Sequence, residues 1–309
     1  MEGIRSERTR LAVAGARSVV LGLGRQSRTD VARGGIFLAL LLLAVTIGLL
    51  GLALLLIDAV VDGSGRFGID LFTKKASSLP SRAGFQDAIL GTLWVIGGVI
   101  VFCLPIGVGA AIYLEEYAAK GRWWNQLVEV NIQNLAAVPS IVYGILGLAF
   151  IVRGPLDLGF IVLAASLTLT LLVLPTVIIA AREAIRAVPD SIRQGSLALG
   201  ATRWQTIRSQ ILPAAVPGVM TGVILAISRA IGESAPLLLL GAATFVTANP
   251  TSPLTDGYTT LPVQIFNFFA RAQDDYIELA AAGIIVMLIV LLAMNSFAIW
   301  LRNRYEHSW

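Results

Sequence analysis

Six stretches of this chain, 34–57, 88–114, 130–152, 158–181, 209–228 and 279–301, contain no charged residue. Each is about 20 residues or longer, enough for a helix to cross roughly 30 Å of hydrocarbon at a rise of about 1.5 Å per residue. Lipid offers no water to backbone N–H and C=O groups, so such runs must close their hydrogen bonds internally, as helices. Composition agrees: 56% of the 309 residues are hydrophobic and 14% charged, whereas soluble domains carry roughly a quarter charged. The sequence predicts an all-α integral membrane protein with six transmembrane helices.

The expected organisation is a basic N-terminal tail 1–33, a first transmembrane helix 34–61, a core 85–301 holding five more, and a tail 302–309. Six spans put both termini on one side. The tail 1–33, the loops 115–129 and 182–208 and the C-terminal tail together hold sixteen Lys and Arg, while 58–87, 153–157 and 234–278 hold six. By the positive-inside rule the first set is cytoplasmic. The polar start carries seven arginines, and the first apolar run is too long for a cleavable signal, so it is expected to stay as an anchor. The mildly apolar segment 11–24 is expected to be a disordered tail.

Several function classes drop out. The single histidine, His307, lies at the very end, and the single cysteine, Cys103, sits inside an apolar run. No histidine cluster for a metal and no Ser-His or Cys-His pair can form within the spans. There is no G-x-x-x-x-G-K-[ST] phosphate loop. The pI near 9.5 reflects topology, not a basic patch with interleaved aromatics, so nucleic acid is not an expected partner.

One span breaks its own rule. Continuing from 209–228 to about residue 240, it carries Arg229 and Glu233 four residues apart. A charge near a helix centre costs about 2.5–3.5 kcal/mol on insertion scales. On one continuous helix the two would share a face, but Arg before Glu is the weaker order and such a pair stabilises by only a few tenths of a kcal/mol. That does not offset the cost. A water-filled cavity or an anionic ligand would, and an arginine fork suits the oxygens of a carboxylate or phosphate.

The loop 182–208 is the other candidate. Pro189 with Asp190 or Ser191 starts a helix, Gly200 stops it, and Thr202 caps a second one running towards Leu212 and Pro213. Leu197, Leu199, Trp204 and Ile207 are too apolar for an idle connection and suggest a partner surface. The stretch "QGSLALGATRWQTIRSQILP" resembles the E-A-A-x3-G-x9-I-x-L-P coupling motif of ABC importer permeases. Gly200, Leu212 and Pro213 match it, whereas Gln194, Gly195 and Ser196 stand in place of Glu-Ala-Ala and Gln210 in place of an apolar residue. Four further stretches, "LPIGVGAAIYLEEYA", "NLAAVPSIVYGILGLAFIV", "SRAIGESAPLLLL" and "LPVQIFNFFAR", resemble in order the phosphate importer permeases of the PstA type.

The resemblance implies the type I ABC importer permease architecture, with a cytoplasmic coupling helix, in a bacterial cell membrane. It implies a second related permease, two copies of a cytoplasmic ATPase subunit and an extracytoplasmic phosphate-binding protein. ATP and magnesium would be bound by the ATPase subunit, and no cofactor by this chain. Arg229 and Glu233, flanked by Ser228 and Ser234, would line the path of inorganic phosphate; Gln194, Gly195, Ser196, Gly200, Leu212 and Pro213 would belong to the coupling contact. A permease for another oxyanion or an ion-coupled anion carrier is the alternative.

Some expectations are plainer. Pro105, Pro139, Pro175, Pro217 and Pro236 read as kinks that neighbouring helices tolerate. Glu115 and Glu116 read as solvated acids at headgroup level, near Lys120 and Arg122. Trp123, Trp124, Trp300 and Trp309 read as interfacial anchors in contact with lipid. "FNFFARAQDDY" reads as an amphipathic helix.

Overall fold

The computed structural model describes residues 28–119, 121–242, 249–271 and 273–305. The segment 11–24, His307 and Trp309 lie outside them. The chain divides into two compact units, Met1–Asp58 and Ala59–Trp309. Helix α1 (Arg28–Ser64) starts in the first. Its side chains from 33 to 58 are all exposed.

The second unit continues with a short α2 (Asp70–Thr73), α3 (Gln86–Ile112) and a wide π turn at Tyr113–Tyr117. Helix α4 (Trp123–Ala136) and α5 (Ser140–Leu146) follow, α5 running on through a π segment, Gly147–Val152. Then come α6 (Val162–Arg186), α7 (Asp190–Ala198), α8 (Arg203–Thr206) and, after a π turn at Ile207–Ile211, α9 (Leu212–Ile231). The described chain closes with α10 (Ala235–Leu237), α11 (Leu261–Phe269) and α12 (Asp274–Tyr305).

Five helical runs are long and apolar enough to span a membrane, and the α4–α5 pair supplies a sixth if counted as one bent span. The fold is an all-helical membrane protein, as the apolar runs predict. Two expected spans are nevertheless broken. The run 130–152 is not one helix: α4 and α5 meet at 105° across Ala137–Pro139. Pro139 lacks an N–H and disfavours helical geometry in the residue before it, so α4 ends there and a new helix starts. The Tyr143 hydroxyl donates to the Leu135 carbonyl at 2.8 Å, satisfying one of the acceptors that a helix end leaves open. Nor does the span from 209 run on to 240. It stops at Ile231, with Gly232 as C-cap, and Pro236 stands in the first turn of α10. Pro105, Pro175 and Pro217, in contrast, lie inside continuous helices.

The main core joins α3, α6 and α9, with α6 central. Packing between apolar helices in lipid rests on close backbone approach at small residues rather than on the hydrophobic effect. Gly218 faces Ala184, whose Cβ would lie 2.7 Å from a methyl added to the glycine, and Gly107 meets Val177 in the same way. The hydroxyls of Ser166, Thr168 and Thr170 on α6 donate to carbonyls four residues back, at 2.7–2.9 Å, so none is left open in lipid.

A second core gathers α2, the start of α3, α11 and α12 at the end of the molecule away from loop 182–208. Asp87 is fully buried there and accepts from the amides of Ala76 and Ala88. Thr92 Oγ1 accepts from the Leu261 amide at 3.0 Å. Of the predicted amphipathic helix, the Phe266–Phe269 part closes α11, and the chain turns before α12 starts at Asp274. Buried Val263 and Phe268 alternate with exposed Phe266 and Phe269.

Candidate functional site

Arg229 lies in the last turn of α9 and Glu233 beyond the helix end. The shared helical face expected for them does not exist, because Gly232 intervenes as the cap. Among the described residues neither side chain makes an ion pair or a hydrogen bond. Arg229 is exposed and Glu233 half-buried. The negative end of the helix dipole favours a cation in that last turn, but by roughly 0.3–1 kcal/mol this remains below the insertion cost.

The short helices that follow the two breaks, α5 and α10, pack on each other. Gly144 in α5 packs on Pro236 in α10, and a methyl on Gly144 would lie 2.6 Å from the Pro236 Cα. Non-helical backbone at membrane depth is tolerated where it is buried in protein or lines a water-filled cavity. Of the two flanking serines, Ser234 is half-buried at the break. Ser228 turns to α12: its hydroxyl lies 2.8 Å from the Ile224 carbonyl and 2.7 Å from Asn295 Oδ1. Asn295 was not legible as a partner, since only the packing of α9 on α12 selects it.

At the opposite end, the loop 182–208 folds as its turn residues predict. Helix α7 starts at Asp190 behind Pro189, and Gly200 adopts a φ of +86°, a left-handed conformation that suits a residue without Cβ. Thr202 and Gln205 form a reciprocal capping box at the start of α8. The second helix does not stop near Pro213. It continues as the span Arg203–Ile231, and the π turn at Ile207–Ile211 widens the backbone just ahead of the proline ring. Gln194 and Gly195 are exposed, Ser196 shares a 2.9 Å hydrogen bond with Thr206, Leu212 is half-buried and Pro213 exposed. Leu197 and Trp204 are about half exposed and Leu199 is 91% exposed, an apolar cap on this end of the molecule.

Glu115 and Glu116 are not the solvated acids expected. Their side chains are only 8% and 9% exposed, and each is ion-paired to an arginine of the 182–208 region. Glu115 Oε1 accepts from Arg182 Nε at 2.8 Å and from Arg186 Nη2 at 2.7 Å. Arg182 Nη2 also donates to Glu129 on α4 at 3.0 Å. Arg193 Nε donates to Glu116 at 3.1 Å, while its other nitrogens hold the carbonyls of Val188 and Ile185 and the Asp190 carboxylate. The Arg203 guanidinium lies 5.3 Å over the Tyr117 ring. The sequence shows two adjacent acids and four separate arginines. Their pairing needed the fold.

A family model described as "Binding-protein-dependent transport system inner membrane component" matches residues 103–307. A probable ABC transporter permease, YqgI of Bacillus subtilis, is 31% identical over 78% of this chain and 85% of its own length. The phosphate transport system permease PstA of Haemophilus influenzae is 31% identical over 88% and 94%. Among solved structures, a bacterial ABC transporter that imports alginate superposes with a TM-score of 0.64 at 19% identity, covering 89% of this chain and 98% of that one. The MetNI methionine transporter gives 0.55 at 17%, over 72% and 95%. These likenesses, over a fold of five or six membrane helices with a helical knob at one end, put the assignment beyond the reach of any single motif: the chain belongs to the family of inner-membrane components of binding-protein-dependent transport systems.

Proposed function

We propose that this chain is a translocating permease subunit of an ATP-driven importer of inorganic phosphate. It works beside a second, related permease, with two copies of an ATPase subunit docked on the knob at α7 and α8. A phosphate-binding protein delivers substrate at the other end, where α2 and α11 lie. Both termini and the knob face the cytoplasm, in keeping with the Lys and Arg bias. ATP and magnesium are handled by the ATPase subunit.

The observation that carries this reading is Arg229, exposed and without a carboxylate partner among the described residues, in the last turn before the break that ends α9. Discontinuous helices of this kind are how transporters build substrate sites at membrane depth, and the guanidinium fork matches a tetrahedral oxyanion. Phosphate rather than another oxyanion is supported by the relatives that carry phosphate in their names. The knob's apolar cap of Leu197, Leu199 and Trp204 supports a protein partner on that face. An ion-coupled carrier would have no use for it.

The test is phosphate uptake by cells lacking this chain, complemented with wild type or with Arg229→Gln. The variant is expected to assemble and to lose uptake by about ten- to a hundredfold, the worth of a charge-assisted bidentate contact at roughly 1.5–3 kcal/mol. Unchanged uptake rules out the pathway role. Competition of uptake by sulfate would favour the broader oxyanion reading.

A further inference from the structure

Three consecutive residues of the π turn that ends α3 each hold a different part of the 182–208 region. Glu115 pairs with Arg182 and Arg186 at the end of α6. Glu116 pairs with Arg193 of α7, and Tyr117 lies under Arg203 of α8. Helix α7 otherwise packs chiefly on α8 and the 207–211 turn. Through Arg182 the same cluster reaches Glu129 on α4, the first half of the broken span whose second half, α5, packs on α10.

We propose that Glu115, Glu116 and Tyr117 form a receiving turn that passes displacement of the knob to α3 and to the broken α4–α5 span, with Glu116 and Arg193 as positioning residues that couple ATP hydrolysis to transport. The covalent continuation from α8 into α9 moves only one wall of the pathway. The clasp adds a second. Buried ion pairs are weak contributors to stability, because desolvation consumes most of the Coulombic gain, but they hold one defined geometry. That property suits a mechanical tie. The five-residue π turn widens the helix where three neighbouring side chains must reach three partners, in the kind of place where such bulges concentrate.

This inference rests on the functional reading above. The experiment uses the complete transporter reconstituted in liposomes with its binding protein, recording ATP hydrolysis and phosphate import together. Glu116→Gln removes one charge at nearly constant shape, and Arg193 keeps its bonds to Val188, Ile185 and Asp190. The expected result is a variant that retains the ATPase subunit and hydrolyses ATP, while phosphate imported per ATP falls about tenfold, within the range seen for residues on coupling networks. Glu116→Asp, which keeps the charge, is expected to recover most of it. An unchanged ratio in Glu116→Gln overturns the proposal. Loss of the ATPase subunit from that variant also overturns it, because the pair would then merely shape the docking surface. A wild-type complex that imports no phosphate fails the functional reading itself, before any variant is made, and overturns both.

Discussion

Arg229 was conspicuous in the sequence because a guanidinium inside an apolar run has a cost that its neighbours cannot repay. The tertiary structure alters the reason for its isolation. The helix ends two residues later, so Glu233 leaves the expected face and no intrahelical bridge forms. Asp256 shows the reverse case, a charge that looks idle in sequence. Its carboxylate accepts from the Thr251 amide and hydroxyl, the Ser252 amide and the Thr255 hydroxyl at 2.7–2.9 Å, and these donors hold it well below the usual carboxylate range. A depressed folded value means that the loop's stabilisation is complete above the ordinary carboxylate pKa and fades as pH falls. Hydrogen-exchange protection of the Thr251 and Ser252 amides, corrected for intrinsic rates, should therefore drop below about pH 4. Asp256→Asn should show the low protection at every pH. Protection that ignores pH in the wild type would contradict this account.

Helix ends carry most of what the elements decide. Pro139 and Pro236 were legible as interruptions, yet a proline in a membrane helix reads equally as a kink, and Pro105, Pro175 and Pro217 are absorbed without a break. The difference is set by neighbours. At the α4–α5 corner a tyrosine hydroxyl takes up a freed carbonyl, and at Gly144 the corner packs against α10. Gly144→Ala should push these elements apart, because the new methyl would meet the Pro236 Cα at 2.6 Å and Leu239 Cδ1 at 3.1 Å. An overpacking cost of about 1–3 kcal/mol is expected, read as a lower thermal unfolding midpoint of the purified protein. Gly109→Ala, with nothing within 4 Å of the added methyl, should leave the midpoint unchanged or raise it. Equal shifts in both variants would show that the close approach at Gly144 does not matter. The α7–α8 knob needed no such arbitration. Pro189, Gly200 and Thr202 act through bonds to residues within a few positions of themselves, so local chemistry sufficed.

On the scale of the whole molecule, the Lys and Arg bias of the sequence predicts one sidedness throughout. Single cysteines at Ser78 and Thr255 should react with an impermeant maleimide added to spheroplasts, and one at Ser191 only after lysis. Cys103 is buried and gives little background. Labelling of the Ser191 position in intact spheroplasts would reverse the topology. The sequence by itself determined that the chain is a helical membrane protein, approximately where it crosses, which segment forms the knob and which charge is out of place. Hydropathy, loop charge and turn residues are local quantities, and each acts over a few residues or one span. The tertiary structure alone decided that two spans break, that the helices following the breaks pack on each other at Gly144 and Pro236, and that Glu115, Glu116 and Tyr117 grip the knob. Those contacts join residues from about 65 to 90 positions apart, and only the packing of α3, α5, α6 and α10 brings such partners within reach.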